Sequence, residues 1–144
     1  MTKIVYNGCH GGFSLSEKAV VRYGELKGLT VYIECDERWS LPTFWLVPED
    51  QRPQMPEGAA WFALTTEERI ASNKAYGAAT ISNRDIPRDD PHLVQVVEEL
   101  GEEANGPHAS LCIADVPKGT QYRIDEYDGR ESVMTVADYD WQTA

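Results

Sequence analysis

The spacing of apolar and polar positions predicts a run of short strands and helices broken by one irregular stretch. Lys3-Ile4-Val5-Tyr6 reads as a strand that enters a glycine-rich loop, Asn7 to Phe13. Ser14-Leu15-Ser16-Glu17 matches a capping box, with serine at the cap and glutamate three positions on, and predicts a helix to about Lys27. Ala19, Val20, Tyr23 and Leu26 recur along it at helical spacing, and Gly28 supplies a C-terminal stop. The β-branched and aromatic run 29–35 predicts a strand. Residues 36–61 then hold four of the eight prolines (Pro42, Pro48, Pro53, Pro56) and three of the four tryptophans (Trp39, Trp45, Trp61). That composition argues against a continuous helix or a central strand. A loop of this length covers something, moves or meets a partner chain, so its tryptophans either pin it to the core or centre an interface.

Thr65 to about Tyr76 predicts a second helix with an acidic first turn, and 79–82 a short strand. The third helix is the clearest element. Asp89 or Asp90 caps it, Pro91 takes the first turn, and Leu93, Val96, Val97, Leu100 and Ala104 make one apolar stripe. Glu98, Glu99, Glu102 and Glu103 face outward, and Asn105-Gly106 is the expected end. Strands follow at Ser110 to Val116, Gln121 to Tyr127 and Ser132 to Val136, with Asp128-Gly129 as a hairpin turn. The tail carries Tyr139 and Trp141. Together these predict an α+β fold in one domain, 1–144. The expected architecture is a small, mostly antiparallel sheet with two to three helices packed on it and a C-terminal β-meander.

Composition changes the functional picture more than the structural one. The chain has 144 residues, 13 basic and 24 acidic, for a net charge of −11. The charge is uneven, −2 over residues 1–83 and −9 over 84–144. Such a balance excludes duplex nucleic acid as the expected partner, because that ligand demands a basic face. The acidic half reads either as a solvated surface or as a mimic of nucleic acid. No apolar run nears the roughly 18 residues of a membrane span, and no signal-peptide core opens the chain, so a cytoplasmic protein is expected. Cys9, Cys35 and Cys112 are odd in number, with no C-x-x-C pair, which fits a reducing compartment.

Two stretches carry candidate chemistry. Gly8, Gly11 and Gly12 lie between a strand and a helix, where backbone N–H groups can hold a phosphate. Phe13 is placed to stack and Ser14 to donate. The spacing is neither G-x-G-x-x-G nor a P-loop, and a tight turn needing positive φ explains the glycines equally. The second stretch runs from Asn83 to Pro91. Arg84 and Arg88 precede a helix N-terminus, where a phosphate could meet both guanidinium groups and Asn83 could read a ribose or base edge. Alternatively, Asp85, Asp89 and Asp90 hold those arginines as structural ion pairs. His10, His92 and His108 lack metal-binding spacing, so no metal and no cofactor is expected. Cys9 with a remote histidine is the one candidate nucleophilic pair, and no hydrolase signature surrounds it.

Three phrases give the chain a resemblance. They are Lys3-Ile4-Val5-Tyr6-Asn7 with Gly11-Gly12-Phe13-Ser14-Leu15-Ser16, Asp90-Pro91-x-Leu93-Val94 to Glu99-Leu100-Gly101, and Ile124-Asp125-Glu126-Tyr127-Asp128-Gly129. In these the chain resembles a group of small bacteriophage proteins. Acidic, oligomeric phage proteins of this size include sponges that capture cyclic nucleotide or cyclic ADP-ribose immune signals, as inhibitors of the Thoeris and CBASS defences do. The resemblance implies a non-enzymatic homo-oligomer that sequesters a small phosphorylated nucleotide in the infected host's cytoplasm. It carries over no ligand-contacting residue; the candidates remain Gly11, Gly12, Phe13, Ser14, Asn83, Arg84 and Arg88. Two other readings stand beside it. One is an acidic interaction protein that inhibits a host factor, and the other is a nucleotide hydrolase.

Overall fold

The computed structural model describes residues 1–38, 41–139 and 142–144. It divides into two compact units. One is built from Met1–Lys27 with Asn83–Ala144, and the other from the inserted segment Gly28–Ser82.

In the first unit, strand β1 (Thr2–Asn7) pairs antiparallel with β5 (Leu111–Val116), in the register Thr2↔Val116 through Asn7↔Leu111. Ile4 and Val5 point to opposite faces of β1, yet both are fully buried, so the strand is covered on both sides. Helix α1 (Glu17–Leu26) and helix α4 (Pro91–Leu100) contribute Val20, Tyr23, Leu93, Val96 and Val97 to the same core. Helix α1 begins two residues later than its sequence suggests. Ser16, not Ser14, is the cap and accepts a hydrogen bond from the Ala19 amide. Tertiary pairing takes Ser14 to Ser16 out of the helix: the Gly106 amide donates to the Ser14 carbonyl (3.0 Å) and the Ser16 amide to that of Ala104 (2.9 Å). Leu15 between them is buried.

Helix α4 starts as expected, on Asp90, which accepts from the His92 amide, with Pro91 in the first turn. It ends earlier than expected, at Gly101, whose φ of +57° an ordinary side chain would resist. A 3-10 turn then carries Ala104 into the core. Strands β6 (Tyr122–Tyr127) and β7 (Arg130–Thr135) form the C-terminal hairpin. Asp128 (φ +51°) and Gly129 (φ +84°) are both left-handed, the geometry that matches strand twist in a two-residue turn. The class is α+β with a C-terminal strand pair. The strand preceding that pair, β5, hydrogen-bonds to β1 and not to β6, so the described strands form separate small sheets rather than one meander.

The inserted unit holds β2 (Tyr32–Glu34), β3 (Thr43–Trp45), a single-turn helix α2 (Ala59–Phe62), helix α3 (Thr66–Ala79) and β4 (Thr80–Ile81). Its antiparallel sheet has the order β2-β3-β4. A central strand therefore lies inside the proline-rich segment, against expectation. Its three residues fit between Pro42 and Pro48, whose missing N–H groups fall outside the paired stretch. Trp45 pins this segment. It is only 5% exposed, meets Tyr76 edge-on at 5.3 Å and lies under the Arg52 guanidinium. Trp61 is half-buried, while Trp39 and Trp141 lie outside the described residues. Among the described residues, no helix is long and apolar enough to cross a membrane.

Candidate functional site

The glycine-rich loop is organised by Asn7, the last residue of β1 and fully buried. Its side-chain amide donates to the carbonyls of Cys9 (2.6 Å) and Gly129 (2.9 Å), and its side-chain oxygen accepts from the Ser110 amide (2.8 Å). One side chain thus ties loop, hairpin turn and the approach to β5 together. Gly11 permits the closest approach. A Cβ there would collide with the His108 carbonyl, whereas Gly12 has φ +88° and open space around it. The Cys9 thiol donates to the His108 carbonyl (3.0 Å) and also approaches the Asn7 side-chain oxygen, so its partners are oxygens and not an imidazole nitrogen.

The structure brings Phe13 and Arg88 together and gives the arginine a structural partner. The Arg88 guanidinium stacks on the Phe13 ring at 3.5 Å and makes a bidentate ion pair with Glu131, at 2.7 and 2.9 Å. Glu131 is 8% exposed and also accepts from the Asn7 amide at 2.8 Å. The Arg88 backbone joins the core as well, its carbonyl accepting from the Val5 amide. The carboxylate that holds Arg88 is therefore on β7 and is none of the three neighbouring aspartates. Ser14 spends its hydroxyl on the Pro107 carbonyl. Asn83 and Arg84 lie in the 3-10 turn Asn83–Asp85; the Asn83 side-chain oxygen is buried without a hydrogen-bond partner among the described residues, and Arg84 is exposed.

The acidic face of α4 and of the 3-10 turn that follows it is largely neutralised within the unit. Lys3 pairs with Glu98, Arg22 with Glu99 (2.9 Å) and Lys18 with Glu103 (2.7 Å). Among the described residues, no group of three or more histidines, cysteines or carboxylates is placed to hold a metal ion.

An open concave surface lies elsewhere, on the C-terminal hairpin. Pairing of Tyr127 with Arg130 and Asp125 with Ser132 puts Arg123, Asp125 and Tyr127 on the same face as Arg130 and Ser132. Together with His10 and Glu126, these line a cleft of about 720 Å³. Arg123 pairs with Asp125 (2.7 Å) and stacks on Tyr139. The His10 ring bonds the Asp128 carbonyl through Nδ1, which leaves Nε2 for a ligand. No carboxylate among the described residues lies within ion-pair distance of Arg130. Tyr127 is 82% exposed, its ring free to stack.

None of the residues expected from sequence lines this cleft, and the residues that do were passed over. The information was present. Once Asp128-Gly129 is accepted as a two-residue turn, register and the two-residue period of a strand assign these side chains to one face. Comparison with protein-family models, with curated proteins and with solved structures gives no match to this chain.

Proposed function

We propose that this chain is a non-enzymatic binding protein that sequesters a small phosphorylated nucleotide in the hairpin cleft. The observation that carries the reading is Arg130, a guanidinium in a cleft of ligand size that no carboxylate among the described residues holds. Arg88 is a candidate by sequence, as Arg84 is, but Glu131 occupies the donors of Arg88. The lining suits a nucleotide better than a bare anion. Arg130 supplies donors for phosphate, Glu126 accepts from sugar hydroxyls, and the Tyr127 ring offers a face to a base. The phage-protein resemblance sets which nucleotides to try first, namely cyclic dinucleotides and cyclic ADP-ribose isomers. The neutralised face of α4 gives no such support to inhibition of a host factor through that surface.

Isothermal titration of the full chain with these ligands and with AMP tests the reading. Binding at micromolar concentration or tighter is expected, weakened at least tenfold by Arg130→Ala and less by Arg130→Lys. Mass spectrometry after denaturing the complex should return the ligand intact. No heat with any ligand at tens of micromolar protein rejects the reading, and recovery of cleaved ligand replaces capture by hydrolysis.

A further inference from the structure

The hairpin cleft shares β7 with a neighbour. A second cleft, of about 400 Å³, lies against β1 and β5, and Arg130 and Ser132 line both. Its far wall comes from Tyr6 and Cys112, directly opposed in the β1–β5 ladder, with Ala114 two residues further along β5 on the same face. Gly8 completes it, and a Cβ there would come within 2.9 Å of the Cys112 sulfur. The two volumes each fall within the roughly 300–1,000 Å³ of small-molecule sites, so each half takes one ring-bearing body.

We propose that the two clefts form one groove for a ligand of two nucleoside arms joined through a phosphodiester, with the phosphate at Arg130 and one arm on each side. This rests on the binding function proposed above and narrows its ligand class from nucleotide to dinucleotide. The two arms meet different chemistry. On the hairpin side stand the Tyr127 ring and the carboxylates of Asp125 and Glu126. On the other stand the Tyr6 hydroxyl, the Cys112 thiol and the Ala114 methyl. Burial, reinforced by the neighbouring Cys112, pushes the Tyr6 hydroxyl up, so it stays protonated and donates. A mononucleotide reaches Arg130 but leaves one half of the groove empty.

The test compares AMP with a dinucleoside monophosphate on the full chain. Charge alone favours AMP, whose phosphate is the more negative. A groove of two halves reverses that order, with the dinucleoside monophosphate at least tenfold tighter. Ala114→Phe fills the second half and should reduce its affinity to that of AMP. Alkylation of Cys112 by N-ethylmaleimide, followed residue by residue in the unaltered chain, gives a readout that survives misfolding of the variant. The dinucleoside monophosphate should slow it at least fivefold and AMP should not. If AMP binds through Arg130 and the second arm adds nothing, or if Cys112 is not protected, the two-armed groove is wrong and the nucleotide site stands. If neither ligand binds, both fall.

Discussion

Arg88 shows what a single residue does when its partner is remote in sequence. Its guanidinium closes on Glu131 in two short hydrogen bonds, and neither side chain is more than a fifth exposed. Removing the cation leaves a carboxylate that still accepts from the Asn7 amide but has lost its counter-charge. Breaking such a pair costs about 3 kcal/mol, so urea denaturation of Arg88→Ala should show a loss of that size with ligand binding secondary to it. The double change Arg88→Met with Glu131→Gln should recover much of the loss, because glutamine keeps an oxygen for Asn7 without a buried charge. Gly129 makes a second point. Its φ is +84°, and a Cβ there would press on the His10 carbonyl and stand 2.9 Å from the Gly12 nitrogen. Gly129→Ala should cost about 1 kcal/mol or more from backbone strain alone. It should also weaken ligand binding in calorimetry, since His10 sits on the turn. The sequence showed that Arg88 and the glycines were special, but not to what end. An arginine beside three aspartates offers several partners, and only the register of β7 selects Glu131.

At the scale of elements, the caps and turns carry the stability argument. Asp90 starts α4, accepts from the Tyr23 hydroxyl at 2.8 Å, and lies near the Lys27 ammonium. Burial pushes its carboxyl up, but the hydrogen bonds from Tyr23 and the His92 amide, with the charge of Lys27, outweigh this and hold it below the ordinary range. A carboxyl so depressed contributes fully above its unfolded value, near pH 4, and the contribution is lost as pH falls through the folded value. Asp90→Asn keeps the cap and removes the charge, so the stability gap between it and the unaltered chain should narrow below about pH 4 in acid-dependent melting. Asp90→Ala should cost about 1–2 kcal/mol at neutral pH. Helix α4 and the hairpin were readable because their signals are local: a cap, a proline, an apolar stripe, an Asp-Gly turn. The start of α1 was not, because backbone pairing with residues 104–106 overrides a serine that caps well in isolation. The central strand β3 escaped because a proline-rich composition was read as excluding pairing, when three residues suffice.

At the scale of the molecule, the sequence offered no mark that 28–82 is an insertion. Both junctions fall where local signals change little: Gly28 reads as an ordinary helix stop, and Asn83 follows a two-residue strand. The division lies in long-range packing. Of the buried apolar residues among those described, only Phe44, Trp45 and Ala79 belong to the inserted unit, and α3 buries only its last residue. Phe62 and Ile70 remain largely exposed. The first unit instead buries Ile4, Val5, Val20, Leu93 and Val96 completely and is cross-tied by Asn7 and by the ion pairs between α1 and the α4 region. Opening free energies follow buried apolar contact, so the two units should differ in amide hydrogen exchange. Amides of β1, β5 and α4 should exchange last, near the global limit, and those of α3 and β2 to β4 well before them. Limited proteolysis should cut first between 28 and 82. Replacing that segment by a short glycine-serine linker should leave a cooperative thermal transition, because Tyr23 and Lys27 at the end of α1 already reach Asp90, only seven residues beyond Asn83. Uniform protection across both units, or loss of cooperative melting on deletion, would mean that the inserted segment is part of one folding unit and that the core around β1 is not sufficient alone.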